Sequence, residues 1–236
     1  MTITEAVAAV FLRATGKTNT LTTGTKYERI IELLNFYQRK WSRENDTDWY
    51  SLYDPAFSLG TVTATDSFDI DTSSIRKISQ REGDPIRILW DDGEGYTDYD
   101  LVEPDQLKDY YSGQDKENPM GNVCARIGNQ LVFNHTFTTT DSEYGGEITV
   151  PCFTFADEIT SDNPDADEVQ VDDPDWLVVQ CAAEYVRNDI TRRTRYPELQ
   201  TEANAIMERM KDDQDGQITK VDTPWTPGNY SDSAWS

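Results

Sequence analysis

Positive charge is scarce in this chain. Its 236 residues carry 21 Lys and Arg against 44 Asp and Glu, a formal net charge of −23. A nucleic-acid binder needs a Lys/Arg footprint to neutralise phosphates, and no basic run here is longer than the pair Arg192-Arg193. Long apolar runs are missing too: nothing approaches the ~20 residues of a membrane-spanning helix. The opening Met1-Thr2-Ile3-Thr4-Glu5 lacks the cationic start and apolar block of a secretory leader. Cysteine is limited to Cys124, Cys152 and Cys181. An odd number at wide spacing argues against a disulfide framework or a zinc site, and for reduced thiols in a cytoplasm.

Histidine occurs once, so Ser/His/Asp or Cys/His catalysis would have to use His135. It lies mid-strand in Phe133-Asn-His-Thr-Phe137 with no nucleophile elbow, and a structural role is the plainer account. Gly93-Glu-Gly95 and Gly145-Gly146 precede no helix start and no Lys-Ser/Thr pair, so no phosphate loop is present. Neither a cofactor nor a metal site follows from these residues, and no catalytic set can be named.

What is present indicates a folded protein with a large acidic surface. Hydrophobic residues make up 36%, a low share, but aromatics reach 11%, whereas disordered acidic chains have few of them. The length suits one large domain or two small ones.

The ends of the chain read as helical. Thr2 and Glu5 have capping-box spacing before Ala6, Val7, Val10 and Phe11. After a Thr/Gly-rich connection from Gly16 to Gly24, Thr25 and Glu28 repeat that spacing. Tyr27, Ile30, Ile31, Leu34, Tyr37, Gln38 and Trp41 then predict a helix over 26–45. From Gly60 the period changes. Gly60–Thr65, Phe68–Asp71, Ile75–Ile78 and Pro85–Trp90 are short, β-branched and alternating, as half-buried strands are. A small helix is expected from Glu103 to Tyr111, and a hairpin from Asn122 to Asn134 turning at Gly128-Asn129. Glu147–Val150 and Cys152–Phe155 add one or two further strands. An acid-rich loop, 157–175, ends in Asp173-Pro174-Asp175, a strong helix start. That helix runs to about residue 190, and Pro197 opens another, with Leu199, Ala203, Ile206, Met207 and Met210 on its apolar face.

The expected fold class is therefore α+β. The N- and C-terminal segments form a helical bundle (1–58 and 157–216), with an inserted β-rich domain over 59–156 and an extended C-terminal arm over 217–236.

Carboxylates are so numerous that some pairs reach glycosidase spacing by chance, and nothing selects one pair. Asp213-Gln-Asp215-Gly216 has the middle of a calcium loop, but Lys211 and Asp222 would stand at its first and twelfth positions; a helix end capped by Gly216 explains the residues more simply. The acid-rich loop could hold divalent cations loosely, but a solvated charge run is the simpler reading. The arm is more informative. Ile218, Val221, Trp225, Tyr230 and Trp235 are spaced along a segment broken by Pro224 and Pro227. Each tryptophan offers on the order of 4–6 kcal/mol of gross burial. Docking into a groove on a partner or neighbouring copy uses it; folding back over its own domain is the alternative.

Taken together, Tyr27–Asn35, Trp41-Ser-Arg-Glu44, Trp49-Tyr50, Ile75–Ser79, Gly83–Trp90, Trp176–Arg187 and Tyr196-Pro197 resemble the head-to-tail adaptor (connector) proteins of tailed bacteriophages. The similarity spans roughly 25–215. It implies a non-enzymatic virion protein, assembled in the host cytoplasm, that forms a ring, commonly twelve-fold, beneath the portal at the head–tail junction. Such a ring extends the DNA channel and docks tail or tail-tube proteins, and the arm would lie against the portal with the five residues just named as candidate contacts. An acidic channel repels phosphates, so DNA passes through without sticking. Acidic subunits also repel one another, so the ring is expected to need the portal as a template. The alternatives are a tail-completion or stopper protein of the same connector, and a carbohydrate-binding or hydrolytic virion protein.

Overall fold

The computed structural model describes residues 1–18, 21–44, 47–79, 84–112, 115–119, 121–160, 164–165 and 167–221. Helix α1 (Ile3–Thr15) opens on the expected capping box: the Glu5 amide donates to the Thr2 hydroxyl at 3.2 Å, and the Thr2 amide donates to the Glu5 carboxylate at 2.9 Å. Gly16, at φ 71°, closes it by donating its amide to the Leu12 carbonyl. Helix α2 (Thr25–Ser42) buries Tyr27, Ile30, Leu34, Tyr37 and Trp41 along one stripe. Its N-cap is Gly24 with no side-chain cap, so the Thr25–Glu28 capping box does not form.

Ten strands follow: β1 (Tyr53–Thr61), β2 (Ser67–Asp69), β3 (Ile75–Ile78), β4 (Ile86–Leu89), β5 (Tyr96–Leu101), β6 (Tyr111–Ser112), β7 (Asp115–Pro119), β8 (Val123–Ile127), β9 (Gln130–Phe133) and β10 (Glu147–Thr154). β6 and β7 pair only with each other. The other eight form one sheet in the order β1-β10-β4-β5-β8-β9-β2, with β3 also paired to β10. All neighbours are antiparallel except β5 and β8. The sheet curls into a half-barrel around a core that includes Ile86, Ile88, Tyr99, Leu131, Phe133, Phe137, Ile148 and Val150. Phe133 stands at its centre, edge-on to Tyr99 at 4.8 Å and to Phe137 at 5.3 Å.

The expected helical bundle with an inserted β domain is not the architecture. The protein is a mixed α/β fold dominated by the eight-stranded curled sheet, with four helices. The expectation failed because two strands do not look like strands. β1 begins at Tyr53, well before Gly60, and register shifts between Asp54 and Phe57 and between Ser58 and Gly60 break its alternation. β5 reads Tyr-Thr-Asp-Tyr-Asp-Leu and buries only Tyr99, so its acids resemble a loop. With both added, the sheet becomes the main body of the protein.

β10 is its spine. β1 pairs along one edge, from Tyr53 opposite Phe153 to Thr61 opposite Glu147. The other edge is shared: β4 takes Ile148 and Thr149, and β3 takes Cys152 to Thr154. Pro151 falls between those two partners and faces the β1 bulge between Asp54 and Phe57. A proline inside a central strand normally forfeits a ladder bond. Here it occupies the position where partners change, and its carbonyl still accepts the Ser79 amide at 2.8 Å. Glu147–Thr154 is thus one strand, not two.

Helix α3 (Pro174–Arg187) starts as its sequence predicts, with the Asp173 carboxylate accepting the Asp175 amide and Pro174 in the first turn. It packs against α1, α2 and α4 (Tyr196–Val221). Their shared core takes Ile3, Val7, Val10, Leu34, Trp41, Leu177, Ala183 and Leu199, and also Trp49 and Leu52 from the chain entering β1. The Trp49 indole donates to the Trp41 carbonyl at 2.9 Å, and the two rings lie 4.9 Å apart. Sheet and helices are tied at Arg76 of β3, whose guanidinium donates to the carbonyls of Glu44 and Thr47, both at 2.9 Å, and pairs with Asp48.

Candidate functional site

The chemistry-bearing residues named from the sequence are held in structural roles. His135 sits 3.0 Å from the Asp141 carboxylate and edge-on to Phe137 at 5.2 Å. Partial burial works against ionisation of Asp141, but the Thr138 amide and His135 more than offset it and hold the carboxyl below its usual range. Cys124, Cys152 and Cys181 are free and buried, and burial pushes every thiol up, Cys152 to about 12. Among the described residues no group of three His, Cys, Asp or Glu side chains could hold a metal ion.

The C-terminal helix also differs from expectation. Backbone α4 continues to Val221, so Gly216 is not a helix cap and Asp213–Gly216 is helical, not a calcium-type loop. Of the five arm residues, Ile218 and Val221 therefore stand three apart on the last turns of α4. Trp225, Tyr230 and Trp235 lie outside the described residues.

What the fold does assemble is a segregated surface. At one end of the helices, the C-terminus of α1, the first turns of α2 and the turn after α3 enclose a cleft of about 520 Å³. Lys17, Lys26, Arg29 and Arg192 line it together with Thr15, Tyr185 and Ile190. Arg29 stacks over the Tyr185 ring at 5.3 Å. Arg192 pairs with Asp189 at 3.1 Å, whose carboxyl is held low chiefly by the hydroxyl and amide of Thr191. Lys17, Lys26 and Arg29 have no carboxylate partner among the described residues. In a chain with two acids for every base, three adjoining cations left unpaired stand out.

The acidic segment lies at the other end of the same helices. The Ile3 amide donates to the Asp167 carbonyl at 3.0 Å, and the Thr4 hydroxyl to the Asp165 carboxylate at 2.6 Å, which seats this segment on the start of α1. Farther along, Asn35 and Gln38 of α2 donate to the carbonyls of Ile159 and Asp157. Asp165, Asp167 and Glu168 remain exposed. Between the two ends, the outer face of α2 carries Phe36, 60% exposed, in a groove of about 850 Å³ with Glu32, Arg39, Lys40, Arg43 and Glu158.

The chain matches no protein-family profile and aligns with no curated protein sequence. The segregation had no sequence signal, because residues 17, 26, 29 and 192 converge only through the packing of α1 and α2 on α3.

Proposed function

We propose that this protein is a non-catalytic, interface-forming subunit of a phage head-to-tail connector: a ring-forming virion adaptor that sits under the portal, lines the DNA exit channel and receives tail proteins. The observation that carries this reading is the placing of large exposed apolar side chains beside charged clefts. Phe36 is 60% exposed and Ile190 84%, each bordered by Arg or Lys. Apolar anchors ringed by arginine are the composition of protein-binding surfaces. The resemblance over roughly 25–215 names the assembly, and the acidic balance of −23 suits a channel wall that DNA slides past. Residues 222–236, with Trp225, Tyr230 and Trp235, supply aromatic anchors for the portal, joined by Ile218 and Val221 at the end of α4.

Native mass spectrometry with the portal ring of the same phage tests the reading, for the full chain and for a chain ending at Val221. The full chain is expected to add about one copy per portal subunit, and the shortened chain none. If the full chain does not bind, the connector reading is wrong, and a glycan-binding or cell-wall lysis assay is the next measurement.

A further inference from the structure

The helices of this protein are electrically polar as a group. α1 and α3 both start at the acidic segment and finish at the cationic cleft, while α2 and α4 run the opposite way. α1 spans about 20 Å at 1.5 Å per residue, so the two charged ends are separated by more than twice the ~8 Å screening length of physiological salt. Each end is therefore seen by an approaching molecule as a separate patch.

We propose that the cationic cleft receives the acidic end of a second copy of this chain, giving a head-to-tail contact. Lys17, Lys26 and Arg29 of one copy face Asp165, Asp167 and Glu168 of the next. Charge complementarity selects this occupant: every copy carries both halves of the pair, and in each the cations lack an internal partner. Cleft against cleft would set like charges together, which excludes a two-fold pairing through this surface. Ile190, 84% exposed at the rim of the cleft, offers an apolar contact that a protein surface can use and a free anion cannot. A head-to-tail contact repeats from copy to copy and closes into a ring when its rotation permits. The inference thus rests on the assembly reading above and names the contact that would build the ring. It also accounts for a chain of strongly acidic net charge assembling at all, since a few local attractions at the contact act over shorter distances than the diffuse repulsion.

Charge exchange tests it. One variant carries K17E, K26E and R29E; a second carries D165K, D167K and E168K. All six side chains are exposed, so the fold should tolerate them. At low ionic strength and high protein concentration, carbodiimide should link Lys17 or Lys26 of one wild-type copy to the acidic segment of another, in mixtures of isotopically light and heavy chains. Each variant alone should lose these cross-links and associate about tenfold more weakly or worse. Mixing the two variants should restore association, because the reversed cleft of one matches the reversed end of the other. Wild-type protein without intercopy cross-links, or a mixture no better than either variant alone, overturns the proposal. So does a short DNA duplex that binds wild type, fails to bind the cleft variant and forms in place of any intercopy contact. Portal binding through residues 217–236 is untouched by these substitutions, so its failure and the failure of the head-to-tail contact are separately visible.

Discussion

Replacing Arg76 with methionine removes the guanidinium that joins strand β3 to the chain leaving helix α2. Its side chain is only 12% exposed, donates to the Glu44 and Thr47 carbonyls at 2.9 Å and to Ser42 at 3.4 Å, and pairs with Asp48. Hydrogen bonds to charged groups contribute ~1.5–3 kcal/mol each, and breaking a buried pair costs ~3–5 kcal/mol. Two considerations place R76M near the low end. Methionine keeps the apolar stem, and Lys77, 2.8 Å from the same carboxylate, leaves Asp48 paired. The expected loss is about 3 kcal/mol, which for a chain of this length lowers Tm by about 6–12 °C. Urea unfolding followed by tryptophan fluorescence measures it. Trp41 and Trp49 report on the helical core, and Trp90 on the sheet. A cycle with D48N isolates the ionic part, expected to couple by about 1–2 kcal/mol. Because one ammonium cannot span the carbonyls and the carboxylate together, R76K should recover only part of the loss. A loss below about 1 kcal/mol for R76M would show that the Arg76 contacts do not hold sheet and helices together.

Gly146→Ala should be among the most damaging small substitutions, costing about 3 kcal/mol or more in urea unfolding, because its methyl would lie 1.8 Å from the Leu89 carbonyl oxygen. Gly128→Ala is the control: its φ of +63° strains any side chain but the space is open, so about 1 kcal/mol is expected. The Asp71 carboxyl is held at about 2 by the Ser73 and Ser74 hydroxyls. A depressed folded value means that its contribution is complete above its ordinary value of 3.8 and fades as pH falls through about 2. Carbon-detected NMR titration should find Asp71 titrating well below the other exposed aspartates, and in S73A closer to them.

Much of the helical part could be read from the residues themselves. The Thr2–Glu5 box, the stripe from Tyr27 to Trp41 and Asp173-Pro174 each state a local preference that packing did not override. The hairpin of β8 and β9 was equally legible, since Gly128 supplies the positive φ that its turn requires. The sheet was underestimated wherever burial was one-sided or bulged. Pro55 and the two register shifts hide β1, and three outward acids and aromatics at 96, 98 and 100 hide β5. Gly216 misled in the other direction, since α4 runs through it. The cationic cleft could not have been found from local pattern at all: Arg192 is 163 residues from Arg29, and only the tertiary fold makes them neighbours.

The position of β10 in the chain has a consequence for how the protein is made. Its partners β1, β3 and β4 all leave the ribosome before it, and Tyr53 must wait for Phe153, 100 residues later, to close its ladder. Until then three strands expose unpaired backbone, a template for joining nascent chains. β1, the longest of them, is the least suited to such mispairing, because its proline and bulges match one partner and register only. Pro151 does the same from the other side: a slip of one residue would bring a missing donor under β3 or β4. Late completion and a single permitted register go together, so the half-barrel waits for its last strand and then accepts it in one alignment.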